Sequence, residues 1–137
     1  MGIQEEIYRD GKNIYGTEKV KQPEEKWPND ILRALKCLNE NLFKHGFTVA
    51  KMRQMCSILQ KNFSSRFKYY VGYTPASYLK YHRIQCSKEL IHHINGDFSV
   101  SDLAFEIGYE YPSTFSNAFK NINGLSPKEY WNFCKKK

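Results

Sequence analysis

No metal-binding pattern of cysteines and histidines occurs in this chain. Its four cysteines are Cys37, Cys56, Cys86 and Cys134. They form neither a C-x2-C nor a C-x2-C…H-x3-H arrangement, so a zinc site is not expected. Cys37, Cys56 and Cys86 fall within amphipathic helical patterns, where a reduced cysteine acts as a small hydrophobe. No apolar run approaches the length that spans a bilayer and no signal peptide is present, so a membrane partner is not expected. Position 6, where a myristoylation signal carries Ser or Thr, is Glu6. A glycine-rich phosphate loop and a nucleophile–base pair are both missing, so neither an enzyme nor a cofactor site is expected. A cytoplasmic protein is the simplest reading.

What is present is basic and aromatic. The net charge of +7 favours an anionic partner, and aromatics make up 15% of the 137 residues. The charge is unevenly placed. Residues 48–72 carry Lys51, Arg53, Lys61, Arg66 and Lys68 with no acid. Residues 97–124 carry Lys120 against Asp97, Asp102, Glu106 and Glu110.

The chain also repeats itself. Phe63, Phe67, Lys68, Gly72, Thr74, Pro75 and Tyr78 recur 52 positions later as Phe115, Phe119, Lys120, Gly124, Ser126, Pro127 and Tyr130. Each copy reads as a helix with two aromatics on its inner face and a glycine stop. A new helix then opens at Thr-Pro or Ser-Pro. A repeated unit implies a repeated role, here the gripping of one kind of partner at two adjacent places.

The fold class expected is all-α, with seven helices forming two helix-turn-helix subdomains of homeodomain-like type joined by a long connecting helix. Residues 1–28 read as a polar tail or linker without periodicity. The first subdomain spans 29–74. There Asn29 or Asp30 caps a helix carrying Ile31, Leu35, Leu38 and Leu42, and Thr48 caps a short one with Val49, Met52 and Cys56. A helix over 59–70 then turns Leu59, Phe63 and Phe67 inward. The connecting segment, 75–96, is about 30 Å long at 1.5 Å per residue. The second subdomain, 97–137, opens with Ser99 as a cap and breaks at Gly108. It continues in helices started by Pro112 and by Ser126-Pro127.

With the paired phenylalanines inside, Lys61, Ser64, Ser65 and Lys68 point outward, with Asn62 at the margin. Ser113, Ser116, Asn117 and Lys120 do so in the second unit. Such side chains can read base edges and neutralise phosphates, although a solvated helix face would look similar. The adjacent His92 and His93 diverge by about 100° on a helix, which suits a structural role better than chelation.

Four stretches carry a family resemblance. Asp102-Leu-Ala-Phe-Glu-Ile-Gly-Tyr, Phe115-Ser-Asn-Ala-Phe-Lys and Gly124-Leu-Ser-Pro-Lys-Glu-Tyr resemble the C-terminal signature of the AraC/XylS family of bacterial transcription regulators. Arg83-Ile-Gln-Cys-Ser87 is similar to the family's Arg-Leu-x-x-Ala stretch, with Ser87 in place of Ala. The resemblance spans residues 31–131. It implies sequence-specific double-stranded DNA binding by two recognition helices in adjacent major grooves. By residue, it implies base contacts from Lys61, Ser64, Ser65, Ser113, Ser116 and Asn117. Phosphate or structural roles fall to Lys68 and Lys120, with Asn62 beside the phosphates. Two departures stand out: Arg53 at the place matched by Ala104, and Ser57 at that of the turn glycine Gly108. Both predict looser or differently angled packing in the first unit.

The competing expectation is a helical protein-interaction module that binds an acidic partner or RNA polymerase. A small-molecule effector is not expected within this chain, because the first 30 residues are too few for a sensory domain. A stand-alone regulator and the C-terminal piece of a larger sensor both fit.

Overall fold

A computed structural model describes residues 3–136. Its helices are α1 (Ile3–Glu18), α2 (Asn29–Asn41), α3 (Val49–Met55), α4 (Phe63–Val71), α5 (Pro75–His92), α6 (Val100–Ile107), α7 (Pro112–Asn123) and α8 (Pro127–Lys135). The all-α expectation stands, with one helix more than the seven read from the sequence. The extra helix corrects the reading of residues 1–28 as a tail. Tyr8, Tyr15 and Val20 are buried, and α1 lies along α5. Its inner stripe is Ile7, Tyr8, Gly11 and Tyr15, set among a polar majority that hides the periodicity. Gly11 is there for close approach: a Cβ at that position would lie 2.3 Å from Leu90 Cδ2.

The repeat is reproduced in backbone geometry. Gly72 and Gly124 both end their helices in the left-handed region, with φ of 97° and 80°. Thr74 and Ser126 both cap the following helix, accepting from Ser77 and Glu129 backbone N–H groups, with proline in the first turn. Phe63–Phe67 and Phe115–Phe119 repeat the same ring pairing, each with centroids 5.9 Å apart. All four rings are fully buried.

The two turns between paired helices differ. Gly108 takes φ 108° at the end of α6, and its counterpart Ser57 adopts φ 54°. A left-handed conformation costs an L-residue about 1–2 kcal/mol. Glycine removes that strain but gains freedom in the unfolded chain. Ser57→Gly should therefore stabilise the fold by about 0.5–1 kcal/mol. The readout is a higher urea midpoint at unchanged slope.

Arg53 does stand between the helices of the first unit. Its guanidinium donates to Gln60 O at 2.7 Å and lies over the Phe63 ring at 5.5 Å. α6 packs extensively on α7, whereas α3 and α4 share little contact. The chain over 58–60 is not helical, and α4 begins at Phe63. Helical phase therefore does not extend back to Leu59. The expected inward Leu59 is 90% exposed, and Ile58 is buried instead.

α5 is the spine, touching α1, α3, α4, α6, α7 and α8. It buries His82, whose Nδ1 faces the Tyr15 hydroxyl at 2.6 Å, with the Tyr78 ring 4.4 Å away. Burial pushes the His82 pKa down from 6.5 to about 4. The unfolded chain thus takes up a proton that the folded one refuses. This stability is fully present above the unfolded value and is lost as pH falls towards the folded one. Between pH 7 and 5.5 the loss attributable to His82 should be about 1 kcal/mol. Urea unfolding of wild type and His82→Gln at both pH values measures it, and the variant should show the smaller acid sensitivity.

Candidate nucleic-acid interface

The outer face of α7 is built as expected. Pro112 occupies its first turn, and the helix runs to Gly124. Phe115 and Phe119 anchor the inner side, so Ser113, Ser116, Asn117 and Lys120 form a stripe at helical spacing. Ser113, Asn117 and Lys120 are exposed and Ser116 is half-buried.

The first unit departs in detail. Ser64, Ser65 and Lys68 lie on α4 and are exposed. Lys61 and Asn62 are also exposed, but they sit in the turn ahead of the helix. Asn62 is the N-cap residue and makes no side-chain capping bond. Lys61 and Asn62 thus extend from a loop rather than from the regular helical face assumed for them. The two units differ in sequence at Gln60. It stands where Pro112 starts the second helix, and its carbonyl is engaged by Arg53.

Ion pairs redistribute the charge. Arg66, counted among the bases of the first unit, is bidentate to Asp30 of α2 at 2.5 and 3.1 Å and also donates to Gln60 Oε1. It belongs to the packing of α4 on α2, and the Asp30 carboxyl is held below its usual range chiefly by that hydrogen bond. Lys51, Lys61 and Lys68 are exposed. Two acids of the second unit are also paired: Glu106 with Lys12 of α1 at 2.7 Å, and Asp97 with Lys128. The contrast in charge between the units is therefore smaller in the fold than in the sequence.

Between the units lies a cleft of ≈ 520 Å³. Its walls include Thr48 at the start of α3, Lys80 and Arg83 on α5, and Tyr109, Asn117 and Asn121 of the second unit. Asn117 therefore looks into shared space. Lys80, which reaches Asn121 Oδ1 at 3.1 Å, is a cation that the sequence did not single out. α5 is buried over much of its circumference, and periodicity alone did not tell which of its edges opens here.

The units are also joined directly. Gly46 N donates to Gly108 O at 3.2 Å, and the His45 and Phe105 rings stack with centroids 4.2 Å apart. Arg83 lies beneath, donating to the carbonyls of Leu42 at 2.6 Å and Phe47 at 2.9 Å. Its guanidinium packs on Gly108 and faces the Tyr109 ring at 5.3 Å. His92 accepts or donates a 2.7 Å bond at Nε2 with the Tyr130 hydroxyl, in keeping with the structural role expected of it. Among the described residues no group of three His, Cys, Asp or Glu side chains is placed to hold a metal. No helix among them is long and apolar enough to cross a membrane.

Two helix-turn-helix units on one spine, each with a short polar stripe over a phenylalanine pair, define a double helix-turn-helix DNA-binding domain. A family model described as a helix-turn-helix domain matches residues 53–132. A putative AraC-like transcription regulator from Streptomyces lividans is 29% identical over 100 residues, covering 73% of this chain and 32% of that protein. The C-terminal domain of AraT, a response regulator from Geobacillus stearothermophilus, superposes with a TM-score of 0.67 at 20% identity. That match covers 80% of this chain and 88% of the other. The DNA-binding domain of the global transcriptional factor AdpA, solved in complex with a target DNA, gives 0.65 at 21% identity, covering 76% and 94%. The chain belongs to the AraC/XylS family of helix-turn-helix transcription regulators. It spans about a third of the length of the Streptomyces lividans relative.

Proposed function

We propose that this domain binds duplex DNA with α4 and α7 in adjacent major grooves on one face of the helix, and so regulates bacterial transcription from the cytoplasm. The observation that carries this is a polar stripe over a buried phenylalanine pair in both units, with Ser64, Ser65 and Lys68 of α4 matching Ser116, Asn117 and Lys120 of α7 on a common spine. α5 has 18 residues, or about 27 Å at 1.5 Å per residue, against about 34 Å for a turn of DNA. The remaining mismatch is met by bending the duplex, at a cost of order 1–6 kcal/mol.

Lys61, Ser64 and Ser65, and Ser113, Ser116 and Asn117, reach base edges. Lys68, Lys120 and Asn62 hold phosphates. Three exposed lysines of the first unit supply most of the long-range attraction, and the second unit docks through hydroxyl and amide groups. In a binding series across salt, Lys61→Ala and Lys68→Ala should each lower the salt slope by about one. Lys120→Ala should lower it less, and a larger effect at Lys120 would reverse the assignment. A second reading, docking of a protein such as RNA polymerase, is favoured by Met55 and Leu59. These are 61% and 90% exposed beside the turn of the first unit. Their replacement by serine should leave duplex affinity unchanged if they serve that role.

A further inference from the structure

α1 belongs to neither helix-turn-helix unit, yet it touches both. Its C-terminal half meets the first unit. The Tyr15 ring stands edge-on to Phe43 at 5.9 Å, and its hydroxyl bonds His82 of the spine. Just beyond the helix, Lys21 N donates to the Tyr78 hydroxyl at 3.2 Å, and Lys21 O accepts from Asn39 Nδ2 at 3.0 Å. One turn before Tyr15, Lys12 meets the second unit. Lys12 Nζ donates both to Glu106 Oε2 at 2.7 Å and to Glu106 O at 3.2 Å. Tyr8 is buried one turn before Lys12. Gly11, next to Lys12, is seated on Leu90 of α5, which is fully buried.

This geometry has a mechanical consequence. Apart from α5, the two units meet along one narrow joint, where Gly46 N–H bonds Gly108 O and the His45 and Phe105 rings stack, and they can tilt about it. A strut fixed to both units and to the spine at His82 and Leu90 limits that freedom. One base pair more or less between two half-sites moves the second site by about 3.4 Å and about 35° around the duplex axis. A braced pair of reading helices meets such a change only by deforming the DNA or releasing one site. An unbraced pair follows it. α1 makes no wall of the cleft that holds Asn117, so its influence on recognition is indirect.

We propose that α1 is a brace that sets the distance and angle between the two reading helices. It thereby makes the domain selective for the number of base pairs between its two DNA blocks, with Lys12 and Tyr15 as the positioning residues. The inference rests on the two-headed reading above.

The test is a set of duplexes bearing both blocks with the intervening length changed one base pair at a time, plus duplexes bearing one block. Wild type should prefer one length by about tenfold or more over its neighbours, the scale set by the deformation cost. Lys12→Met with Tyr15→Phe should flatten that profile to within about threefold, with single-block affinity unchanged. Lys12→Glu should flatten it as well, and adding Glu106→Lys should restore it. This rescue separates lost bracing from general damage to the fold. A preference that survives unaltered in both variants overturns the brace and leaves two-headed binding intact. Wild-type binding that is equally tight to one block and to two overturns the two-headed reading itself.

Discussion

Arg83→Met should destabilise the fold by about 3 kcal/mol and lower Tm by roughly 10 °C. Arg83 is only 5% exposed, and it donates to two main-chain carbonyls rather than to a carboxylate. Burial lowers its pKa to about 10, with the nearby Tyr109 partly opposing the shift, so the side chain remains a cation at neutral pH. A buried charge is costly, and exchanging a whole ion pair for apolar groups is often neutral. That exchange is not open here, because the carbonyls of Leu42 and Phe47 stay when the guanidinium goes. Methionine fills the stem but leaves both acceptors without their donor and removes the cation facing Tyr109. Both carbonyls lie in the segment linking α2 to α3, so the variant loosens the contact between units as well as the core. Urea and thermal unfolding measure the effect, and a loss under about 1 kcal/mol would contradict the role assigned to Arg83.

Gly108→Ala should cost about as much, roughly 3 kcal/mol, for two separable reasons. The first is conformational: φ of 108° is unsuited to any residue with a Cβ. The second is steric. A Cβ there would lie 2.8 Å from Arg83 Nη2 and 3.0 Å from Cζ. Those atoms are held by the Leu42 and Phe47 carbonyls, so the guanidinium cannot step aside without losing them. Gly72 provides the control. It has φ of 97° and nothing within 4 Å of its hypothetical Cβ. Gly72→Ala should therefore show backbone strain alone, about 1–2 kcal/mol. The excess at Gly108 measures the contact with Arg83, and in the Arg83→Met background that excess should shrink. Equal losses at the two glycines would show that Arg83 does not confine Gly108.

The parts of the fold legible in the sequence are those with strong local chemistry. Thr74-Pro75 and Ser126-Pro127 announced helix starts, Gly72 and Gly124 announced stops, and the phenylalanine pairs marked an inner face. Burial of Arg83 was not legible, because its family match names a residue type without its surroundings. α1 was missed because its inner stripe of Ile7, Tyr8, Gly11 and Tyr15 is narrow and set among polar residues. Leu59 was misplaced because α4 begins only at Phe63, with Gln60 where Pro112 opens the second helix. The same late start leaves Lys61 and Asn62 off the helix. The polar stripes were found because they are the complement of the aromatic pairs. Lys80 was not, because its exposure depends on how two units leave a cleft along an otherwise buried helix.

Selection of bound duplexes from a random pool, at low and moderate salt, tests the central claim most directly. Two short enriched blocks about one helical turn apart, retained at moderate salt, are the expected result. The block read by the first unit should change with Ser64→Ala and the other with Asn117→Ala. Binding that enriches no sequence and vanishes at moderate salt would contradict a two-headed, sequence-reading domain.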